Sequence, residues 1–101
     1  VGGGINMITE IDDWTLYFCR TSEEVNNKMN KLCSICDNND GQLIHIYLTH
    51  STGLSDDLHN IMEYFRNRRD NEYEYSITTT VKNDRPRVLL NIRWKVDEGE
   101  E

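Results

Sequence analysis

Two segments of helical period set between segments of period two predict a two-layer α/β (α+β) sandwich. Its order is β-α-β-α-β-β, a four-stranded mixed sheet with two helices on one face. Apolar residues recur at three- and four-residue spacing from Val25 to Cys36 and from Leu58 to Phe65, while strict alternation marks two strands near the C-terminus. A right-handed crossover then makes the first two strands parallel, and the terminal hairpin extends the sheet.

The elements follow in order. Trp14, Leu16 and Phe18 alternate with Thr15, Tyr17 and Cys19, which predicts the first strand over 14–19. Thr21 and Glu24 form a T-x-x-E capping box, so helix one is expected from Ser22 to Asp37, ending before Asn38, Asn39, Asp40 and Gly41. Residues 43–50, LIHIYLTH, read as a nearly continuous apolar strand whose more apolar side carries Ile44, Ile46 and Leu48. Ser55 is the expected N-cap of helix two, and Asp56 and Asp57 favour its positive first turn. Leu58, Ile61, Met62 and Phe65 should pack on the sheet against Leu16, Phe18, Ile46, Ile77, Leu90 and Ile92. Tyr73 to Val81 and Val88 to Val96 alternate on either side of polar turn residues 82–86, the pattern of an antiparallel hairpin.

A chain of 101 residues sustains one core and not two. Val1 to Asn6 reads as a flexible leader or expression scar ahead of Met7, residues 7–96 as the single domain, and 97–101 as an acidic flexible tail. No apolar run reaches the roughly 20 residues that span a bilayer, and no secretory signal opens the chain. Three cysteines, an odd number, give no disulfide framework. An intracellular, unsecreted protein of the cytoplasm or nucleus is expected, with no membrane partner. The absence of alanine beside abundant asparagine suggests an AT-rich genome, as many phages and viruses have.

The formal charge of −7 is unevenly spread: the first sixty residues are acidic and residues 61–96 are basic. This small acidic protein is therefore a dipole, and its overall charge disfavours non-specific nucleic-acid binding.

Candidate chemistry is sparse. Cys33 and Cys36 form a C-x-x-C late in helix one, where the dipole raises a thiol pKa rather than lowering it, so packing is preferred to redox work, as it is for Cys19. No metal is expected, since Cys19, His45, His50 and His59 do not complete a paired zinc spacing, and the domain should fold without zinc. His45 and His50 point to opposite faces of their strand, and no nucleophile, base and orienting carboxylate can be specified. Glu72 and Glu74 read as the wet face of a strand opposite Arg93 or Lys95. No catalytic residue and no cofactor is assigned, and an enzyme is not expected.

The favoured reading is a non-enzymatic protein-binding module, an inhibitor or adaptor, phage- or virus-encoded and directed at a host protein. Its partner-binding surface is placed on the open sheet face, with Tyr17, Leu43, His45, Tyr47, Leu89, Arg93 and Lys95, and either a different protein or a second copy in a homodimer would cover it. The alternative is RNA or single-stranded DNA bound on the same face through Arg66, Arg68, Arg69, Arg87, Arg93 and Lys95.

Overall fold

Strand length and twist decide which side chains this fold can cover. The computed structural model describes residues 8–49, 52–70 and 72–95. The six elements are β1 (Thr9–Trp14), α1 (Ser22–Asn38), β2 (Leu43–Leu48), α2 (Leu54–Arg69), β3 (Tyr73–Lys82) and β4 (Arg85–Trp94). The sheet order is β1-β2-β4-β3, with β1 parallel to β2 and the other neighbours antiparallel. This is the expected mixed sheet with the expected element order. The leader, Met7, the acidic tail, His50 and Ser51 lie outside the described residues.

One face of the sheet is apolar because Ile44, Ile46 and Leu48 of β2 stand beside Ile92, Leu90 and Val88 of β4, all pointing the same way. The helices cover this face with Met29, Leu32, Cys33 and Cys36 from α1 and Ile61 and Phe65 from α2, all buried. Leu58 and Met62 pack against the same core from its margin. Phe65 meets Trp94 and Tyr73 edge to face, at 5.5 and 6.0 Å between ring centroids.

Four expectations are corrected. The first strand is Thr9–Trp14, not 14–19. Glu10, Asp12 and Asp13 disguise it, because an edge strand can turn carboxylates to solvent on its open side while Ile11 faces the core. The second correction concerns Phe18 and Ile77, which are exposed rather than buried: the first lies on the β1–α1 connection and the second on the edge strand. Third, α2 starts at Leu54 with Gly53 at its N-cap, two residues earlier than a Ser55 cap requires. Fourth, α1 runs one residue further, to Asn38.

Local chemistry accounts for the ends. Thr21 Oγ1 accepts the Glu24 amide at 3.1 Å, while the Glu24 carboxylate reaches back to the Arg20 amide at 2.6 Å. Gly41 (φ 82°) supplies the left-handed residue after α1 and ties it to the Trp94 carbonyl at 2.8 Å. Asn83 and Asp84 both have positive φ, 54° and 63°, which is the two-residue turn that matches strand twist.

Truncating Phe65 to alanine removes the ring on which Trp94 and Tyr73 stack and should destabilise the domain by about 3 to 5 kcal/mol. Reversible urea denaturation measures this directly, and a loss below about 1 kcal/mol would contradict the packing described.

Candidate functional site

The β1–α1 connection, residues 15–20, holds the most exposed aromatic pair among the described residues. Its order begins with a buried carboxyl group. Asp57 lies in the first turns of α2 and is only 3 % exposed. Its carboxylate accepts the Thr15 hydroxyl at 2.9 Å and the Leu16 amide at 3.3 Å. Thr15 Oγ1 in turn accepts the Tyr17 amide at 3.0 Å, and the Leu16 carbonyl accepts the Cys19 amide at 3.0 Å. Lys28 of α1 donates to the Thr15 carbonyl and places its ammonium 5.4 Å from the Trp14 ring centroid. Two helices thus grip one short loop, and Leu16 is drawn into the core.

The loop cannot bury its next two side chains once Leu16 is anchored. Tyr17 is 62 % exposed and Phe18 78 % exposed. The rings contact each other edge to face at 5.2 Å, so both are mutually braced while facing solvent. Asp13 precedes the loop, and Glu23 and Glu24 follow it, all exposed. The pair therefore sits between carboxylates in the chain.

The expected site on the open sheet face is only partly assembled. Leu43, His45, Tyr47, Leu89 and Arg93 do share that face, as the β2–β4 register requires, with Leu43 opposite Arg93, His45 opposite Asn91 and Tyr47 opposite Leu89. Tyr17 does not join them, because the chain has already left the sheet at Trp14, and Cys19 is likewise on the loop. Lys95 lies just past the end of β4 and is exposed.

The face is also less apolar than its residue types suggest. Lys82 crosses over Tyr47, with Nζ 4.0 Å from the ring centroid, and reaches Asp12 at 2.6 Å and Glu10 at 3.5 Å. Those carboxylates hold the Lys82 ammonium above its ordinary pKa, chiefly through the Asp12 hydrogen bond. Arg93 pairs with Glu74 at 2.9 Å, as the strand alternation anticipates. His45 and Tyr47 are half-buried, and His45 Nδ1 has no hydrogen-bond partner among the described residues.

The basic residues proposed for nucleic acid are scattered and mostly neutralised. Arg68 pairs with Asp37, and Arg69 pairs with Asp40 at 2.9 Å while stacking 4.6 Å from the Trp94 centroid. Arg87 pairs with Asp13. Arg66 faces the groove between α2 and β3, lined also by His59, Met62 and Tyr75. No single phosphate-tracking groove gathers Arg66, Arg68, Arg69, Arg87, Arg93 and Lys95.

Cys33 and Cys36 are buried on the core side of α1. Burial pushes the Cys36 thiol up to about 12, with the adjacent Cys33 and Asp37 adding to the rise and Arg69 and Arg68 opposing it. Burial raises Cys33 as well, against a lowering by Arg68. Such thiols are poor nucleophiles and poor metal ligands. Among the described residues, no group of three or more His, Cys, Asp or Glu side chains is arranged to hold a metal ion.

No family model, curated protein or solved structure matches the chain. Among the described residues, no helix is long and apolar enough to cross a membrane.

Sequence reasoning picked out Tyr17 but placed it on the wrong surface, and it missed Phe18 as a surface group and Asp57 as the loop's anchor. The available signal was the run Thr15, Leu16, Tyr17, Phe18: a strand there would have to follow three charged residues at 10, 12 and 13 with no turn residue before the capping box at Thr21.

Two outcomes follow. Asp57→Ala leaves the Thr15 hydroxyl and Leu16 amide without their acceptor and should lower stability by about 1 to 3 kcal/mol, with Asp57→Asn intermediate. Alkylation of the native protein near pH 8 should modify Cys19 while sparing Cys33 and Cys36 until denaturant is added, as mass spectrometry of the labelled peptides can score.

Proposed function

We propose that this chain is a small protein-binding module, an inhibitor or adaptor, whose anchor is the Tyr17 and Phe18 pair. The observation that carries the reading is two large rings, 62 % and 78 % exposed, on a loop fixed by a buried carboxylate. Exposed aromatic side chains cost hydration free energy that a free monomer does not recover. In a complex the same rings supply most of the contact energy that an interface concentrates in a few residues, and aromatics are prominent among such residues.

Preorganisation strengthens the case. Ordering a loop during association subtracts from affinity, whereas here Asp57 and Lys28 have already ordered it. The exposed acidic residues that follow the loop, Glu23 and Glu24, define the complementary partner: a protein with an apolar cleft rimmed by basic side chains. Their carboxylates also disfavour a polyanionic ligand at this site, so nucleic acid is not the partner the loop fits.

The test is a tagged pull-down from the source cell with nuclease added, comparing wild type with the double variant Tyr17→Ala, Phe18→Ala. The variant should keep its circular dichroism and melting temperature, since both rings face solvent, and should lose the captured protein. Capture that survives the double substitution, or that disappears on nuclease treatment alone, would sink the proposal.

A further inference from the structure

The two edges of the sheet are built differently. The β1 edge is short, carries Glu10, Asp12 and Asp13, and breaks register between Ile11 and Trp14. Charges and bulges of this kind discourage a second sheet from pairing there. The β3 edge has none of these devices. It pairs with β4 through ten consecutive residues without a shift, and its stretch Tyr75 to Val81 contains no charge and no proline.

The geometry of the hairpin fixes which backbone groups of β3 face outward. A two-residue turn makes Lys82 and Arg85 a hydrogen-bonded pair, so the even-numbered residues of β3 bond β4. The Lys95 amide donating to the Glu72 carbonyl at 3.0 Å continues the same parity beyond the strand. Tyr73, Tyr75, Ile77, Thr79 and Val81 therefore direct their N–H and C=O groups away from the sheet. Three large hydrophobic side chains among these odd-numbered residues are also exposed on the helix-side face: Tyr75 at 53 %, Ile77 at 45 % and Val81 at 70 %.

We infer that β3 is a homodimer edge, pairing antiparallel with β3 of a second copy about a two-fold axis at Thr78 to make one eight-stranded sheet. Three features of the strand select this occupant and this register. With Thr78 opposite itself, Tyr75 lies opposite Val81 of the other copy and Ile77 opposite Thr79, so every outward-directed residue from 75 to 81 meets an outward-directed partner, as an antiparallel ladder demands. Glu74 lies opposite Lys82 of the other copy, at both ends of the ladder, so unlike charges meet twice, in addition to the pairs Glu74 makes with Arg93 and Lys82 makes with Asp12 and Glu10 within each chain. Moving the axis to Thr79 would instead set Glu74 against Asp84 of the turn, and moving it to Ile77 would set Glu74 against Thr80 and Lys82 against Glu72, which lies outside β3, so Thr78 is the register that pairs two charges both within the strand. A strand that reads Glu, three residues, centre, three residues, Lys is self-complementary only in reverse alignment, which is the requirement of a two-fold interface. The pairing would also join the two uncovered strips of Tyr75, Ile77 and Val81 into one apolar seam. This surface is separate from the Tyr17 and Phe18 loop.

Sedimentation velocity on the full chain tests the inference. Wild type should be dimeric at micromolar concentration, and Glu74→Lys and Lys82→Glu should each weaken association by roughly tenfold or more, since each sets like charges opposite at both ends. Mixing the two variants in equal amounts should restore dimer, because the mixed pair again sets unlike charges opposite. Thr78→Cys should give a reducible covalent dimer on mild oxidation, since a non-hydrogen-bonded pair brings its Cα atoms to about 4.5 Å. This readout does not depend on how the charge variants fold. A chain that stays monomeric at millimolar concentration overturns the proposal. So does a dimer that ignores both charge variants and fails to cross-link. Amide exchange at Ile77 and Thr79 that slows only when an extended peptide of other sequence is added would likewise assign the edge to a different occupant.

Discussion

The β2–β4 ladder is the constraint from which the remaining geometry follows. Its two strands are the interior ones, and they supply Ile44, Ile46, Leu48, Leu90, Ile92 and Trp94, all fully buried. The two strands are unequal: β2 has six residues and β4 ten. At about 3.4 Å per residue, the turn end of the hairpin runs about 10 Å past β2, so Arg85, Pro86 and Arg87 of β4 have no third strand beside them. The helix-side face is half-buried at Tyr73 and exposed at Val81, although both lie on the same side of the same strand.

Charge placement compensates for that overhang on the opposite face. Lys82, at the end of β3, engages Asp12 and Glu10 of β1 across the sheet and covers Tyr47 on the way. Arg87 does the same toward Asp13. These pairs explain why an excess of acid in the first half and of base in the second does not become two opposed surface patches: the halves meet across the open face and across the α1–α2 ends, where Asp37 and Asp40 hold Arg68 and Arg69. Exposed pairs of this sort contribute little stability individually. Their effect is to tie the acidic first half of the chain to the basic second half, Lys82 and Arg87 to β1 and Arg68 and Arg69 to Asp37 and Asp40.

Asp57 illustrates the other use of polarity. A buried carboxylate costs several kcal/mol of desolvation unless hydrogen bonds replace water, and here the Thr15 hydroxyl and Leu16 amide do so. These bonds also specify a single path for the chain from β1 to α1. Without them the connection would still bury Leu16, but nothing would direct Tyr17 and Phe18 outward in one arrangement.

Much of this was legible in the residues. Element order, the parallel pairing of the first two strands, the hairpin and the buried faces of both helices follow from period, capping and turn chemistry, which act over a few residues and leave a local trace. The Glu74 and Arg93 pair was legible too, since cross-strand neighbours are set by alternation. The first strand was not: alternation over 14–19 matched a strand better than the true segment at 9–14, whose carboxylates mask it, and the pairing along β2's edge decides for the latter. The exposure of Phe18 and Ile77, the burial of Asp57 and the reach of Lys82 depend on which helix or strand lies within a few ångströms of residues forty to seventy positions away. Periodicity carries no information about that distance. The sequence by itself determined the kind and order of the elements and the apolar faces of both helices, β2 and β4. The tertiary structure alone decided which apolar faces are covered, because two helices and a six-residue strand cannot shield a ten-residue hairpin along its whole length.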